Sequence, residues 1–187
     1  MNFTDHLTKE EIELRQEIIE AIINHPEAPV HMKEAYQPLV EKEVIVLDDK
    51  EDIISIYPIS TVKTNKQVYV DEKTQPVYAM CAIDALGIHF TVHRPIKIVS
   101  EDQLTQEPIT IEMENGQITN HAADDLFVLY KEVSCTTNCN VDCCPFIHFF
   151  NRRDHVETYL ENNPHITNYK VLNLDESIEE ARELFEV

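Results

Sequence analysis

A chain of 187 residues with 43% hydrophobic and 27% charged side chains can bury a substantial core as one large or two small globular domains, and with no Trp and only two Gly it argues against low-complexity disorder. Its formal net charge of -20 repels phosphate backbones and argues against a nucleic acid partner. The opening MNFTDHLTKEE lacks a secretory n-region and h-region. The longest mostly apolar stretch, residues 77–90, is interrupted by Asp84 and falls short of the roughly 20 residues a membrane span requires, so a cytoplasmic protein with no membrane partner is expected.

In chain order, Thr8 and Glu11 have capping-box spacing at the head of a helix. Its apolar face is Ile12, Ile18, Ile19, Ile22 and Ile23, and Pro26 and Pro29 end it near His25. Residues 32–42 read as a second, shorter helix. Two strand-like runs follow, 44–47 and 53–57, with the acidic turn 48–52 between them. Helices followed by a hairpin suggest a winged-helix-like module over residues 1–65. That stretch holds 6 Lys+Arg against 14 Asp+Glu, which favours packing on the next domain over binding DNA.

The second unit, residues 66–187, is expected to be a catalytic α+β domain, a mixed or antiparallel sheet with flanking helices. Residues 68–70 and 76–78 read as strands leading into a short helix, 79–86, with Gly87 as its C′ residue. Strands are expected at 96–99 and 109–113. Asn115-Gly116 is a hairpin turn signal before Ile118, and 126–130 is a further strand. After a Cys-rich segment comes the apolar run 146–150. Val156, Tyr159 and Leu160 mark a helix. Asp175 is placed to N-cap a last one, whose face is Ile178, Ala181, Leu184 and Phe185.

Five cysteines carry the chemistry: Cys81, Cys135, Cys139, Cys143 and Cys144. In a reducing compartment they read as thiols, metal ligands or nucleophiles. Cys81 and Asp84 stand at i and i+3, on one face if the segment is helical. An acid in an apolar run has its pKa raised by desolvation, and a neighbouring thiolate raises it further; such a group holds and delivers a proton near neutral pH. The alternative is that Asp84 caps a helix. Thiolates select soft or borderline metals such as zinc, copper(I) or mercury, but the spacing from Cys135 to Cys144 departs from the C-x2-C zinc pattern. His89, His93 and His148 sit in or beside apolar runs and read as core residues. No phosphate loop, H-E-x-x-H or G-x-S-x-G is present.

The stretch Tyr78-Ala79-Met80-Cys81-Ala82-Ile83-Asp84-Ala85-Leu86-Gly87 closely resembles the first active-site segment of organomercurial (alkylmercury) lyases. Cys143-Cys144-Pro145-Phe146-Ile147-His148-Phe149-Phe150 resembles the second, a Cys followed shortly by a paired Phe. Tyr57-Pro58-Ile59-Ser60 is similar to the family's link between its two regions, and Glu107-Pro108-Ile109 to a strand start. The resemblance runs from about residue 9 to the end. It implies two catalytic thiols and an acid, with Cys81 and Asp84 as the first thiol and the acid. Counting back from Phe149-Phe150 without a gap makes Cys144 the second thiol; a one-residue gap selects Cys143.

Mercury would then be held among Cys81, Asp84, Cys143 and Cys144. Some family members carry a further Cys near the position of Asp102, the N-terminal module is shorter here than in long members, and Cys135 and Cys139 lie outside the family pattern. The implied reaction is protonolysis of a carbon–mercury bond, with two thiolates on mercury and Asp84 protonating the carbon. Mercury(II) stays bound as product until cellular thiols or a mercuric reductase remove it. The implied role is mercury detoxification, with a small organomercurial as substrate and no cofactor required. Competing readings are a non-enzymatic thiolate-based soft-metal binding protein, a lyase for another organometallic compound, and a metal-sensing winged-helix regulator.

Overall fold

The computed structural model describes residues 2–120, 125–131 and 142–187. Every strand pairing among them is antiparallel, in an α+β arrangement. Helix α1 (Lys9–Asn24) begins as expected. Thr8 Oγ1 accepts from the Glu11 N–H at 3.3 Å, and the Glu11 carboxylate accepts from the Thr8 N–H at 2.7 Å. Its buried stripe is Arg15, Ile18, Ile19, Ile22 and Ile23. The second helix is shorter than the sequence suggests: a 3-10 turn at Glu34–Tyr36 leads into α2 (Gln37–Glu41), with proline in its first turn.

Strands β1 (Ile45–Leu47) and β2 (Ile53–Ile56) form the expected hairpin, which continues into an eight-stranded sheet. The remaining strands are β3 (Ile59–Ser60), β4 (Gln67–Val70), β5 (Val77–Ala79), β6 (Ile96–Glu101), β7 (Pro108–Glu114) and β8 (Gln117–Ile118). Their order is β1-β2-β3-β5-β4-β6-β7-β8, so the N-terminal hairpin is one edge of the main sheet. The turn joining β7 to β8 holds both Asn115 and Gly116 at positive φ, 52° and 74°, the conformation that Asn-Gly favours. A second sheet has the order β10-β9-β11, with β9 (Phe127–Lys131), β10 (His148–Phe150) and β11 (Tyr169–Asn173). Helices α4 (Arg153–Asn162) and α5 (Leu174–Phe185) flank it. The last helix is capped by Asn173 in a capping box with Glu176; Asp175, expected as the cap, lies inside the first turn.

The element that organises the molecule is α3 (Ala82–Val92), all of whose residues are buried. One side packs on β3, β4, β5 and β6, and the other meets α5 and β9. A helix wrapped by protein on every side must be apolar all round, which is what Ile83, Leu86, Ile88, Phe90 and Val92 supply. The expected helix 79–86 is corrected at both ends. Residues up to Ala79 belong to β5, Cys81 is the cap, and the helix runs through Gly87 to a left-handed His93 at φ 52°. Gly87 is needed for close approach and does not end the helix. A Cβ built there would come within 2.7 Å of Phe185 Cε2 and 2.8 Å of Phe185 Cγ, so the absence of a side chain lets α5 lie against α3.

The N-terminal segment is tied into the same core. Phe3 stacks between Tyr57 and Phe185, with ring centroids at 4.8 and 5.1 Å. Arg15 is fully buried and donates from Nε and a terminal nitrogen to the Tyr57 carbonyl at 3.1 and 2.8 Å. Burial pushes its guanidinium down to about 10, leaving it charged at neutral pH. No helix among the described residues is long and apolar enough to cross a membrane.

Candidate active site

The strand-to-helix junction at β5–α3 fixes the first two groups. Val77 and Ala79 alternate inward along β5, and the same period of two carries Cys81 into the interior. Cys81 leaves the sheet in an extended conformation (φ -140°, ψ 176°) and caps α3, its Sγ accepting from the Asp84 N–H at 3.3 Å. Asp84 is thus the third residue of the helix. Its carboxylate lies at the positive end of the helix dipole beside the thiol that caps it.

The third group comes from 60 residues away. Cys144 opens a 3-10 turn, Cys144–Phe146, that leads into β10. The Ala82 N–H donates to the Ile147 carbonyl at 3.2 Å, pinning the turn to the head of α3. Cys144 Sγ then donates to Asp84 Oδ2 at 3.6 Å. The ligand atoms of Cys81, Asp84 and Cys144 all lie within 4.8 Å of one another, and all three residues are buried. Cys143 is buried too but stands outside this group; Cys135 and Cys139 lie outside the described residues.

Burial sets the electrostatics. Desolvation pushes the Asp84 carboxyl up to about 7, although hydrogen bonds from Cys81 and Cys144 and the nearby Lys66 pull the other way. Desolvation also raises the Cys81 thiol, opposed by hydrogen bonding with Cys144. A carboxyl poised near neutrality beside two soft donors can exchange a proton with a thiol and deliver one to a group held between the sulfurs.

Sequence reasoning missed Lys66, which is only 4% exposed and lies within electrostatic reach of Cys81, Asp84 and Cys144. A signal was present: Lys66 shares the parity of Val68 and Val70, the inward residues of β4. Of the three histidines expected in the core, His89 and His148 are buried, whereas His93, the residue that ends α3, is exposed. The His89 ring is bonded on both nitrogens, Nδ1 to the Arg94 carbonyl at 2.8 Å and Nε2 to the Gly116 N–H at 2.9 Å. His148 is pushed down to about 3 by burial and by Lys66, and is therefore neutral.

The sequence model of the alkylmercury lyase family matches residues 59–186, over two thirds of the chain and across both cysteine segments. The chain belongs to the alkylmercury lyase family. It is accordingly an enzyme of the carbon–mercury lyase class, acting on an organomercurial. Among solved structures it is similar to the mercury-bound form of MerB2, with a TM-score of 0.75 and 18% identity over 97% of this chain and 92% of that one. That likeness extends the shared fold through the N-terminal region the family model leaves out. No curated protein matches the chain.

Proposed function

We propose that Cys81 and Cys144 are the two sulfur donors that take mercury from an organomercurial, and that Asp84 is the acid that protonates the departing carbon. The observation that carries this reading is the convergence of three buried ligand atoms within 4.8 Å. Thiolates are soft donors suited to mercury. The Cys144 thiol already points at Asp84, so ionisation of the sulfur and loading of the acid are one proton transfer. A second thiolate on mercury raises electron density on carbon, and the Asp84 proton then completes R–H.

Mercury(II) remains on Cys81 and Cys144, with Cys143 as a neighbouring ligand, until cellular thiols or a mercuric reductase remove it. No organic cofactor enters the scheme. Residues 1–65, the winged-helix-like module, serve as a packing wall for α3, and the setting is cytoplasmic mercury detoxification. The test is incubation with phenylmercury and excess thiol, following benzene by gas chromatography. Stoichiometric and then catalytic benzene release is expected; its absence from the intact chain would sink the assignment of these residues.

A further inference from the structure

A lysine ammonium is costly to bury unless its charge is compensated, yet Lys66 is 4% exposed. Its backbone is fixed beside the first thiol. The Ala79 N–H donates to the Lys66 carbonyl at 3.0 Å, setting Lys66 across from Ala79 and two residues before Cys81. The Thr64 hydroxyl braces this corner, donating to the Ala79 carbonyl at 2.7 Å and accepting from the Lys66 N–H at 3.1 Å. The ammonium donates to the Asn65 amide oxygen at 2.8 Å, and Asn65 donates onward to Glu101 at 3.0 Å. Titratable and charged groups within electrostatic reach of it include Cys81, the cap of α3, Asp84 from α3, Cys144 from the 3-10 turn, Glu101 from β6 and His148 from β10.

We propose that Lys66 is a positioning residue for carbon–mercury cleavage, its ammonium being the fixed counter-charge for one negative charge that passes between Asp84 and the mercury adduct. The inference rests on the roles proposed above for Cys81, Cys144 and Asp84. The charge accounting follows from a substrate R–Hg–SR′, the form an organomercurial takes in excess thiol. Cys144 gives its proton to the Asp84 carboxylate and bonds to mercury as R′S⁻ departs. Cys81 then bonds to mercury, its proton leaving with R′S⁻ as R′SH. The result is an anionic R–Hg held by two sulfurs beside a neutral Asp84. Transfer of the Asp84 proton to carbon breaks the carbon–mercury bond, releases R–H and returns the charge to the carboxylate, leaving neutral mercury(II) on two sulfurs. The site holds one negative charge before, during and after cleavage, and Lys66 holds it on the mercury adduct, the state from which the carbon is protonated.

The variant Lys66→Met tests this with phenylmercury as substrate. Its kcat for benzene release should fall about 10- to 100-fold, the scale of one lost charge contact in a partly screened interior. Capture of mercury(II) itself, read by ultraviolet thiolate-to-mercury absorption, should keep its stoichiometry, because that product is neutral. Lys66→Met should be at least as resistant to urea as the parent, since a desolvated charge has been removed. Lys66→Arg should recover part of the lost kcat, and Lys66→Gln should behave as Lys66→Met. Parental kcat in Lys66→Met, or a loss matched by lost mercury capture or lost folded protein, would overturn the inference while leaving the site reading in place. A parent chain that releases no benzene would overturn both.

Discussion

Two aspartates are buried among the described residues, and their surroundings push them in opposite directions. At the head of α3, Asp84 is 3% exposed and accepts from a thiol at 3.6 Å; burial dominates and its carboxyl is raised to about 7. At the end of β6, Asp102 is fully buried. It accepts from the N–H groups of Leu104, Thr105 and Asn151 at 2.8, 3.0 and 2.7 Å and from His155 Nδ1 at 2.8 Å. There too burial pushes upward, but His155 and the backbone donors outweigh it and the carboxyl is lowered. Asp102 is a clamp that ties β10 and α4 to the corner after β6. Around Asp84 desolvation outweighs what two thiols, one backbone group and Lys66 return, and the carboxyl stays able to hold a proton near neutrality. Two buried carboxyls thus move in opposite directions according to whether their donors outweigh desolvation.

The largest contrast should be in turnover. Asp84→Asn is expected to lower benzene release from phenylmercury by about 10²- to 10⁴-fold while mercury(II) still binds, and Asp102→Asn to stay within about tenfold of the parent. Comparable losses in both would erase the distinction. The two adjacent thiols sharpen it further. Cys144→Ser should abolish multiple turnover, and Cys143→Ser should leave most of it, measured in the same assay.

Stability should show the reverse ranking. Asp102→Ala strands three N–H groups and an imidazole, and should cost roughly 3–5 kcal/mol in urea unfolding. Asp84→Asn removes no such network. Its effect should depend on pH. A carboxyl raised from an unfolded value near 4 to about 7 leaves the folded state progressively less favoured as pH climbs through that window. Asp84→Asn should therefore gain on the parent from pH 4 to pH 7, by up to about 4 kcal/mol, and level off above. Asp102 acts in the opposite sense: its contribution is present above the unfolded value and is lost as pH falls through its lowered folded value. Urea midpoints across pH 3–8 test both slopes. The smallest effect is Gly87→Ala, where a methyl meets the Phe185 ring. A loss of about 1–3 kcal/mol is expected in the same unfolding assay, with benzene release per folded molecule largely kept.

Much of the fold was legible because its signals are local. The Thr8–Glu11 box, the Asn115-Gly116 turn and the alternation of β4 to β7 appear where the sequence puts them. What failed depended on tertiary contacts. Gly87 reads as a stop until Phe185 is seen pressing on it. Strand β11 has no fully buried residue to announce it and exists because β9 offers an unpaired edge. Cys81 and Asp84 were readable as a pair from spacing, though as two helical positions and not as a cap and its third residue. The approach of Cys144 was indicated only by resemblance, since no local rule links residues 60 apart. Lys66 passed unnoticed because lysine is taken for a surface residue, although, just before β4, it shares the parity of that strand's inward residues.

The exposures of the two thiols, 2% for Cys81 and 6% for Cys144, have a kinetic consequence. Sulfurs on residues so little exposed should react slowly with a reagent such as iodoacetamide until the protein opens locally. Alkylation of Cys81 and Cys144 is therefore expected to follow local opening of the structure around them, and a ligand bound between the sulfurs to slow both together.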